Sequence, residues 1–402
     1  MTYGSIREYT TAMLKRYLGA RKKEKSKLLS EFCAVTGYHR KAAVRLLSRS
    51  PGGKDRRGRQ SQYGLPVTNA LRKLWEASDH LCSKRLAPFI PELVDALERH
   101  GELTMEPDVR ELLLRVSAST IDRLLRPYRR RSLRRPYSYS TSSHKLKGRI
   151  PLRTFSEWKD VQPGSVQADL VLHCGETTQG FYITTLMVVD VATGWQECFP
   201  IWGKGQERVR GGVHRVRQRL PFPMRELHTD NGGEFINKAL YPYCMRHDIR
   251  FTRGRPYKKN DQAWVEQRNW TVVRRLVGYH RYSTRPAYVQ MGRLYTLVRQ
   301  YFNFFQPIGK VISKERVGAK VIKRYDVAKT PYQRILEAGV MEESKRHSLE
   351  MEYLSLNPAL LRSKIEQALE ALWRLSESEL QQRWDSVPTT INEDLNETLG
   401  NI

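Results

Sequence analysis

The sequence is short of acid. Among 402 residues, Asp and Glu number 42 against 70 Lys and Arg, leaving a net charge of +28, far more than solubility requires. It also lacks any run approaching the 18 apolar residues of a membrane span, so a helical membrane protein is excluded. The opening stretch MTYGSIREYTTAMLKRYLGA has no apolar segment of the signal-peptide kind. The five cysteines, Cys33, Cys82, Cys174, Cys198 and Cys244, are widely spaced and include no CxxC pair, which excludes a disulfide framework and a paired-Cys zinc site. These absences predict a cytoplasmic protein with reduced thiols and no membrane partner.

The excess charge is unevenly placed. Residues 1–150 carry 33 basic and 14 acidic groups and residues 201–300 carry 21 and 7, whereas residues 351–402 hold 4 and 9. Two basic regions are thus suited to a polyanion, and the C-terminal tail is not. Length predicts several domains. Residues 1–50 read as helices with a tight turn at Gly37, a helix-turn-helix unit whose second helix presents Arg40, Lys41 and Arg45 to a DNA groove. Residues 51–64 (PGGKDRRGRQSQYG) read as a basic linker. Residues 65–130 form a second helical unit with helices at Val67–Ser78, Pro91–His100, Val109–Val116 and Ser119–Arg130, where Ser119 is the expected N-cap and Arg123 and Arg126 the DNA-facing cations. Residues 131–160 are a second basic linker.

From Ser165 the period changes. SVQADLVLHC alternates, GETTQG turns, and FYITTLMVVDV is the apolar run of a strand buried on both faces. GWQECFPIW follows as a third strand. A basic helix at Gly205–Leu220, a strand at Arg225–His228, a helix at Glu234–His247, a strand at Ile249–Thr252 and a long helix from Asp261 to Tyr279 complete the pattern. Three antiparallel strands followed by alternating helices and strands predict an α/β ribonuclease-H-like core with a mixed sheet over residues 161–305. Downstream, residues 306–402 read as a helix and small β element ending in an acidic tail, a region for DNA contact or assembly. The fold class is therefore multidomain, with an all-α N-terminal region, an α/β core and a C-terminal extension.

Within this core Asp169 lies on the first strand, Asp230 follows the fourth, and Glu266 sits on the long helix, with 35 residues between it and Asp230. Here the chain resembles DDE transposases and retroviral integrases. The texture DLVLHCG, VDVATGW, HTDNGGEFIN, RPYKKNDQAWVEQRN and YFNFFQP is similar to that of bacterial insertion-sequence transposases, the ISNCY group among them. The resemblance implies that the three acids bind two Mg²⁺ ions, with Mn²⁺ as a substitute. Its activity would be cutting element ends by water, then joining the freed 3′-hydroxyls to target DNA. It also implies a nucleoid location, double-stranded DNA at element ends and target, and self-association as at least a dimer on DNA. Hard oxygen donors suit such ions, which neutralise carboxylates that would otherwise repel one another.

The neighbours divide by role. Lys258 and Lys259, before the long helix, and Arg268 and Arg274 on it are candidate phosphate contacts. Asn231 and Asn269 are candidate orienters, and His228 is either a support behind the acids or a core histidine. With a hairpin turn at 175–179, Asp169 pairs near Thr185, so Asp190 is too distant to join the acids and reads as a turn former. Asp261 is read as serving the helix N-terminus, and His173 as too far along its strand to reach a shared ion. A ribonuclease or resolvase on the same core, and a catalytically dead repressor, are the alternative readings.

Overall fold

The computed structural model describes residues 3–48, 62–129, 150–153, 158, 161–255 and 259–378. Residues 1–62 and 63–402 form two compact units. Most of both expected linkers, residue Lys258, the side chain of Lys259 and the acidic tail lie outside the described residues.

The first unit holds α1 (Tyr3–Gly19), α2 (Lys22–Thr36) and α3 (Arg40–Leu47) around a small core of Met13, Tyr17, Leu29, Phe32, Ala43 and Leu47. Gly37 ends α2 at φ 73°, its N–H donating to the Cys33 carbonyl. That left-handed C-cap suits glycine, which has no Cβ to clash. His39 then caps α3 by accepting from the Lys41 N–H.

The second unit opens with α4 (Leu65–Ala77), α5 (Ser83–Arg99), α6 (Pro107–Leu114) and α7 (Ala118–Leu125). The helices start earlier than expected, and α7 ends at Leu125 instead of Arg130. α5 begins at Ser83, not Pro91, and carries Pro88 and Pro91 inside it; eight buried side chains along the helix outweigh the missing N–H groups. The cap of α7 is Ser117, whose hydroxyl accepts from the Thr120 N–H, not Ser119.

A five-stranded sheet follows, built from β1 (Ser165–Leu172), β2 (Thr184–Asp190), β3 (Gln196–Ile201), β4 (Glu226–Thr229) and β5 (Arg250–Arg253) in the order β3-β2-β1-β4-β5. The first three run antiparallel, and β4 and β5 run parallel to β1. The sheet is mixed, as expected for residues 161–305. α8 (Gln206–Arg219) and α9 (Leu240–Arg246) make the crossovers. The latter is half the helix expected from Glu234, because Asn237 accepts the N–H groups of Ala239 and Leu240 and restarts the chain there.

The long helix expected after β5 runs without interruption as α10 (Ala263–Arg268), a π-helical turn over Asn269–Arg274 and α11 (Arg275–Val277), and stops at Gly278 with φ 80°. Next come α12 (Arg285–Phe305), an antiparallel pair β6 (Val311–Val317) and β7 (Lys320–Tyr325), then α13 (Pro331–Ala338), α14 (Glu343–Ser355) and α15 (Pro358–Trp373).

The helices α4–α7 share one continuous hydrophobic core with the sheet and with α12–α15. Polar bolts reinforce it. Tyr301 donates to the Ala77 carbonyl at 2.7 Å and Gln306 to that of Ser78 at 2.9 Å. Asp79, at φ 55°, pairs with Arg275 at 2.7 Å and Arg362 at 2.6 Å. The exposed edge of β3 is closed by Asn303, which accepts from the Gln196 N–H and donates to its carbonyl. An edge strand protected this way cannot template pairing with another chain at that residue.

Candidate active site

Strand register fixes where the acids stand. Asp169 pairs with Met187, two residues beyond the expected Thr185. The turn is centred one residue later than expected, since His173 still donates to the Ile183 carbonyl and Tyr282 inserts beside both. Asp190 pairs with Val166 and is spent on a turn. Its carboxylate accepts the N–H groups of Gly164 and Thr193, each at 2.8 Å, and the Thr193 hydroxyl at 2.6 Å.

Asp169 accepts its neighbour's backbone N–H at 2.8 Å and the side-chain amide of Asn269 at 2.6 Å. Asn269 is the first residue of the π-helical turn, an irregularity that recurs at functional sites because it re-aims side chains. Asp230 accepts from the Gly232 N–H at 2.9 Å just after β4. Glu266 is exposed on α10. The three are electrically coupled: the Asp169 carboxyl is held well above the ordinary carboxylate range, first by burial, then by the charge of Asp230, and further by Glu266.

The donor chemistry fits a hard divalent cation, which would relieve the cost of ionising Asp169. The geometry is open, for among the described residues no three His, Cys, Asp or Glu side chains are gathered closely enough to hold a metal. Uncompensated carboxylates keep apart, and Asn269 occupies one oxygen of Asp169.

Sequence reasoning missed what anchors the Glu266 helix. Gln167 lies two residues before Asp169 and is fully buried. Its side chain donates to the Asp261 carbonyl at 3.0 Å and accepts from the Val265 N–H at 3.3 Å, tying the start of α10 to β1. A polar residue inside an apolar strand was the available signal. Asp261, expected at a helix N-terminus, instead binds Arg255 through Nε at 2.8 Å and Nη2 at 2.9 Å, closing the base of the loop between β5 and α10.

Behind the acids, buried His228 bonds the Thr252 hydroxyl at 3.0 Å and packs edge-on to Trp158 with ring centroids 5.1 Å apart. Asn231 is fixed, donating to the Gly254 carbonyl at 2.8 Å and accepting from Arg253 at 3.0 Å. His173 is buried against Thr185 at 2.7 Å, and burial followed by the nearby Arg274 drives its pKa down to about 3, so it stays neutral.

Two of the expected phosphate contacts turn inward. Arg268 lies beside Arg85 and Cys198, where burial, with Arg85 second, lowers its pKa to about 10. Arg274 donates to the Leu172 carbonyl at 3.0 Å and stacks on Tyr279. A guanidinium so engaged braces the helix against β1. Arg123 and Arg126 are exposed at the end of α7. In the first unit Lys41 is exposed, Arg45 donates to the Lys41 carbonyl, and Arg40 spans two helices by donating to Ser30 and Ser26 at 3.0 and 2.9 Å.

Comparison with known proteins matches the family model described as Integrase core domain to residues 161–259, a span holding Asp169 and Asp230 and ending before Glu266. The chain is 44% identical over 322 residues to the uncharacterized protein y4rM of Sinorhizobium fredii, covering 79% of this chain and 91% of that protein. It is 26% identical over 97 residues to the Gag-Pol polyprotein of avian reticuloendotheliosis virus, covering 24% of this chain and 8% of the polyprotein. Among solved structures, the catalytic core domain of BIV integrase is similar at 19% identity and a TM-score of 0.29, covering 44% of this chain and 95% of that one.

Proposed function

We infer, from the premise that this chain belongs to the family of the Sinorhizobium fredii y4rM protein and carries an integrase core domain, that it is a transposase. It binds the ends of a mobile element, cuts them to leave 3′-hydroxyls and joins those to target DNA. The observation that carries this reading is the placement of three carboxylates on three different elements, Asp169 on β1, Asp230 just after β4 and Glu266 on α10, with Asp169 destabilised as an anion first by burial, then by Asp230 and further by Glu266. Such an arrangement is costly to a fold and is repaid where charge must be held at a reacting centre.

In this reading Asp169, Asp230 and Glu266 hold Mg²⁺ or Mn²⁺. When bound, the cations stabilise the charge that develops on the attacking and leaving oxygens of an in-line phosphoryl displacement. Asn269 holds Asp169 in place by its amide, and Gln167 holds the helix that carries Glu266. The test is a labelled duplex ending in the sequence that borders the gene's own element, incubated with the full chain and Mg²⁺. Nicking at the element's 3′ end, followed by joining to a second duplex and abolished by chelator, supports the reading. A protein that binds the end but never cuts it is a repressor. One that cuts without joining, or prefers an RNA strand, is a nuclease.

The first unit is proposed to recognise the element end. Because α4–α7 belong to the larger core, a fragment ending near residue 135 would strip them of their packing, and residues 1–62 are the fragment to test. This fragment is expected to bind end DNA over scrambled DNA in a salt titration. Lys41→Ala should reduce the log–log salt slope by about 0.9, the loss of one phosphate contact. Equal binding to both duplexes would move recognition to the second unit.

A further inference from the structure

The pair β6 and β7 is a ribbon that no described part of the chain covers. Its strands run antiparallel from Val311↔Tyr325 to Val317↔Lys320, and every residue in both is exposed. The turn between them has two residues, with Gly318 at φ 60°, the positive φ that such hairpin turns demand of their first residue. An isolated two-stranded hairpin is marginal in water because it has no buried face.

The root of this ribbon is nonetheless fixed. The Lys310 N–H donates to Asp326 at 2.6 Å, and Arg334 pairs with the same carboxylate at 2.8 Å. Ile308 and Lys329 form a bridge below them. The Lys310 ammonium reaches across to the carbonyls of Val191 and Ala192 in the turn that follows β2. The ribbon is therefore an arm standing on a firm base beside the sheet.

Its charge names its partner. Between Val311 and Tyr325 stand Lys314, Arg316, Lys320, Lys323 and Arg324 against one acid, Glu315. None of these five cations forms an ion pair with a described residue. Cross-strand partners share a face, and Lys314 is directly opposite Lys323, an arrangement that weakens a hairpin standing in water. Arg316 lies on that same face, while Lys320 and Arg324 line the other. Both faces of one narrow ribbon are thus cationic. The two walls of a DNA groove present phosphates in that way, and the major groove, about 12 Å wide, admits a two-stranded ribbon.

We propose that β6 and β7 form an arm that lies in the major groove of duplex DNA, with Lys314, Arg316 and Lys323 toward one phosphate backbone and Lys320 and Arg324 toward the other. The inference rests on the reading of the chain as an enzyme of DNA, and it assigns the arm a grip that does not depend on sequence.

The test uses the full chain and a duplex of scrambled sequence spanning several helical turns, titrated with salt. Lys314→Ser combined with Lys323→Ser is expected to flatten the log–log slope by about 1.8, at roughly 0.9 per lost phosphate, and to weaken low-salt binding by about tenfold or more. The unfolding temperature should not move, since neither side chain touches the core. An unchanged slope in a variant that still cuts and joins element ends overturns the arm and leaves the proposed function standing. Absence of cutting by the unmutated chain, with a slope that does flatten, overturns the proposed function and supports the arm. Failure of the unmutated chain to bind the duplex overturns both. An unchanged slope accompanied by a shift from multimer to monomer in sedimentation, repeated with Ile312→Ser, overturns the arm in favour of a contact between copies of the chain.

Discussion

Asp169→Asn is expected to remove cutting and joining of DNA by at least about a thousandfold, the scale on which a preorganised electrostatic contact to a reacting group is lost, while end binding is kept. Asp230→Asn and Glu266→Gln should do the same, and near-normal joining by any one of them would remove that residue from the site. The pH dependence tests separately whether Asp169 is costly to ionise in the folded protein. Burial and the two neighbouring carboxylates raise the Asp169 pKa in the folded protein, so without metal the folded state holds a proton there that the unfolded state has released. Stability in chelator should therefore fall as pH rises from the ordinary carboxylate range through the raised folded value. Asp169→Asn carries no such proton. In chelator it should unfold at a higher temperature than the parent, by a gap that widens with pH, as thermal melts across pH 5 to 9 would register. The same proton competes with the cation, so the Mg²⁺ concentration for half-maximal cutting should rise as pH falls. Parallel melting curves for the two proteins at all pH values would mean that Asp169 is not destabilised as an anion.

The elements of the sheet were legible because buried strands write apolar runs, as FYITTLMVVDV does, and because amphipathic helices write a period. The placement of the three acids was legible, since Asp169 falls on β1, Asp230 just after β4 and Glu266 on α10, the elements expected for them. Register was not, since pairing Asp169 with Met187 instead of Thr185 turns on two residues of loop length and on Tyr282, more than a hundred positions from Asp169. The π-helical turn at Asn269 was invisible for a similar reason. Nothing in VEQRNWTVV forbids a regular α-helix, and the hydrogen bond that the Asn269 amide donates to Asp169 exists only once β1 and the helix have met. Arg268 and Arg274 illustrate the limit of reading charge. A cation on an amphipathic helix reads as solvent-facing until the neighbours that bury it are known. The helices α4–α7 have their own caps and period, and only the folded chain shows that their apolar faces merge with the core of the sheet, reinforced by the pairing of Asp79 with Arg275 and Arg362 and of Tyr301 with Ala77.

Glu197 is the other position where one substitution should have a large effect, here on stability. It is fully buried on β3, accepts from the Trp195 indole at 3.0 Å and from Arg299 Nε at 2.8 Å, and lies 3.4 Å from Arg219. Arg299 in turn reaches Glu352 at 3.0 Å, so one guanidinium links the edge of the sheet to α12 and α14. Burial outweighs both cations at Glu197 and lifts its pKa. Arg299 is held more firmly charged, since burial works against it but a carboxylate on each side prevails. The two directions agree on one point: the network is costly to assemble and more costly to break. Glu197→Ala leaves Arg299 with Glu352 alone and the Trp195 N–H with nothing, and is expected to cost about 3–5 kcal/mol in denaturant unfolding of the second unit. Arg299→Met should cost a similar amount, since it leaves the buried carboxylate with only Arg219 and the Trp195 indole and leaves Glu352 without its guanidinium. The double variant Glu197→Met with Arg299→Met removes both charges and fills the space, and should recover most of the loss. Additive losses in this cycle would show that the two side chains act through separate packing, and that the edge of the sheet is held to the C-terminal helices by apolar contact instead.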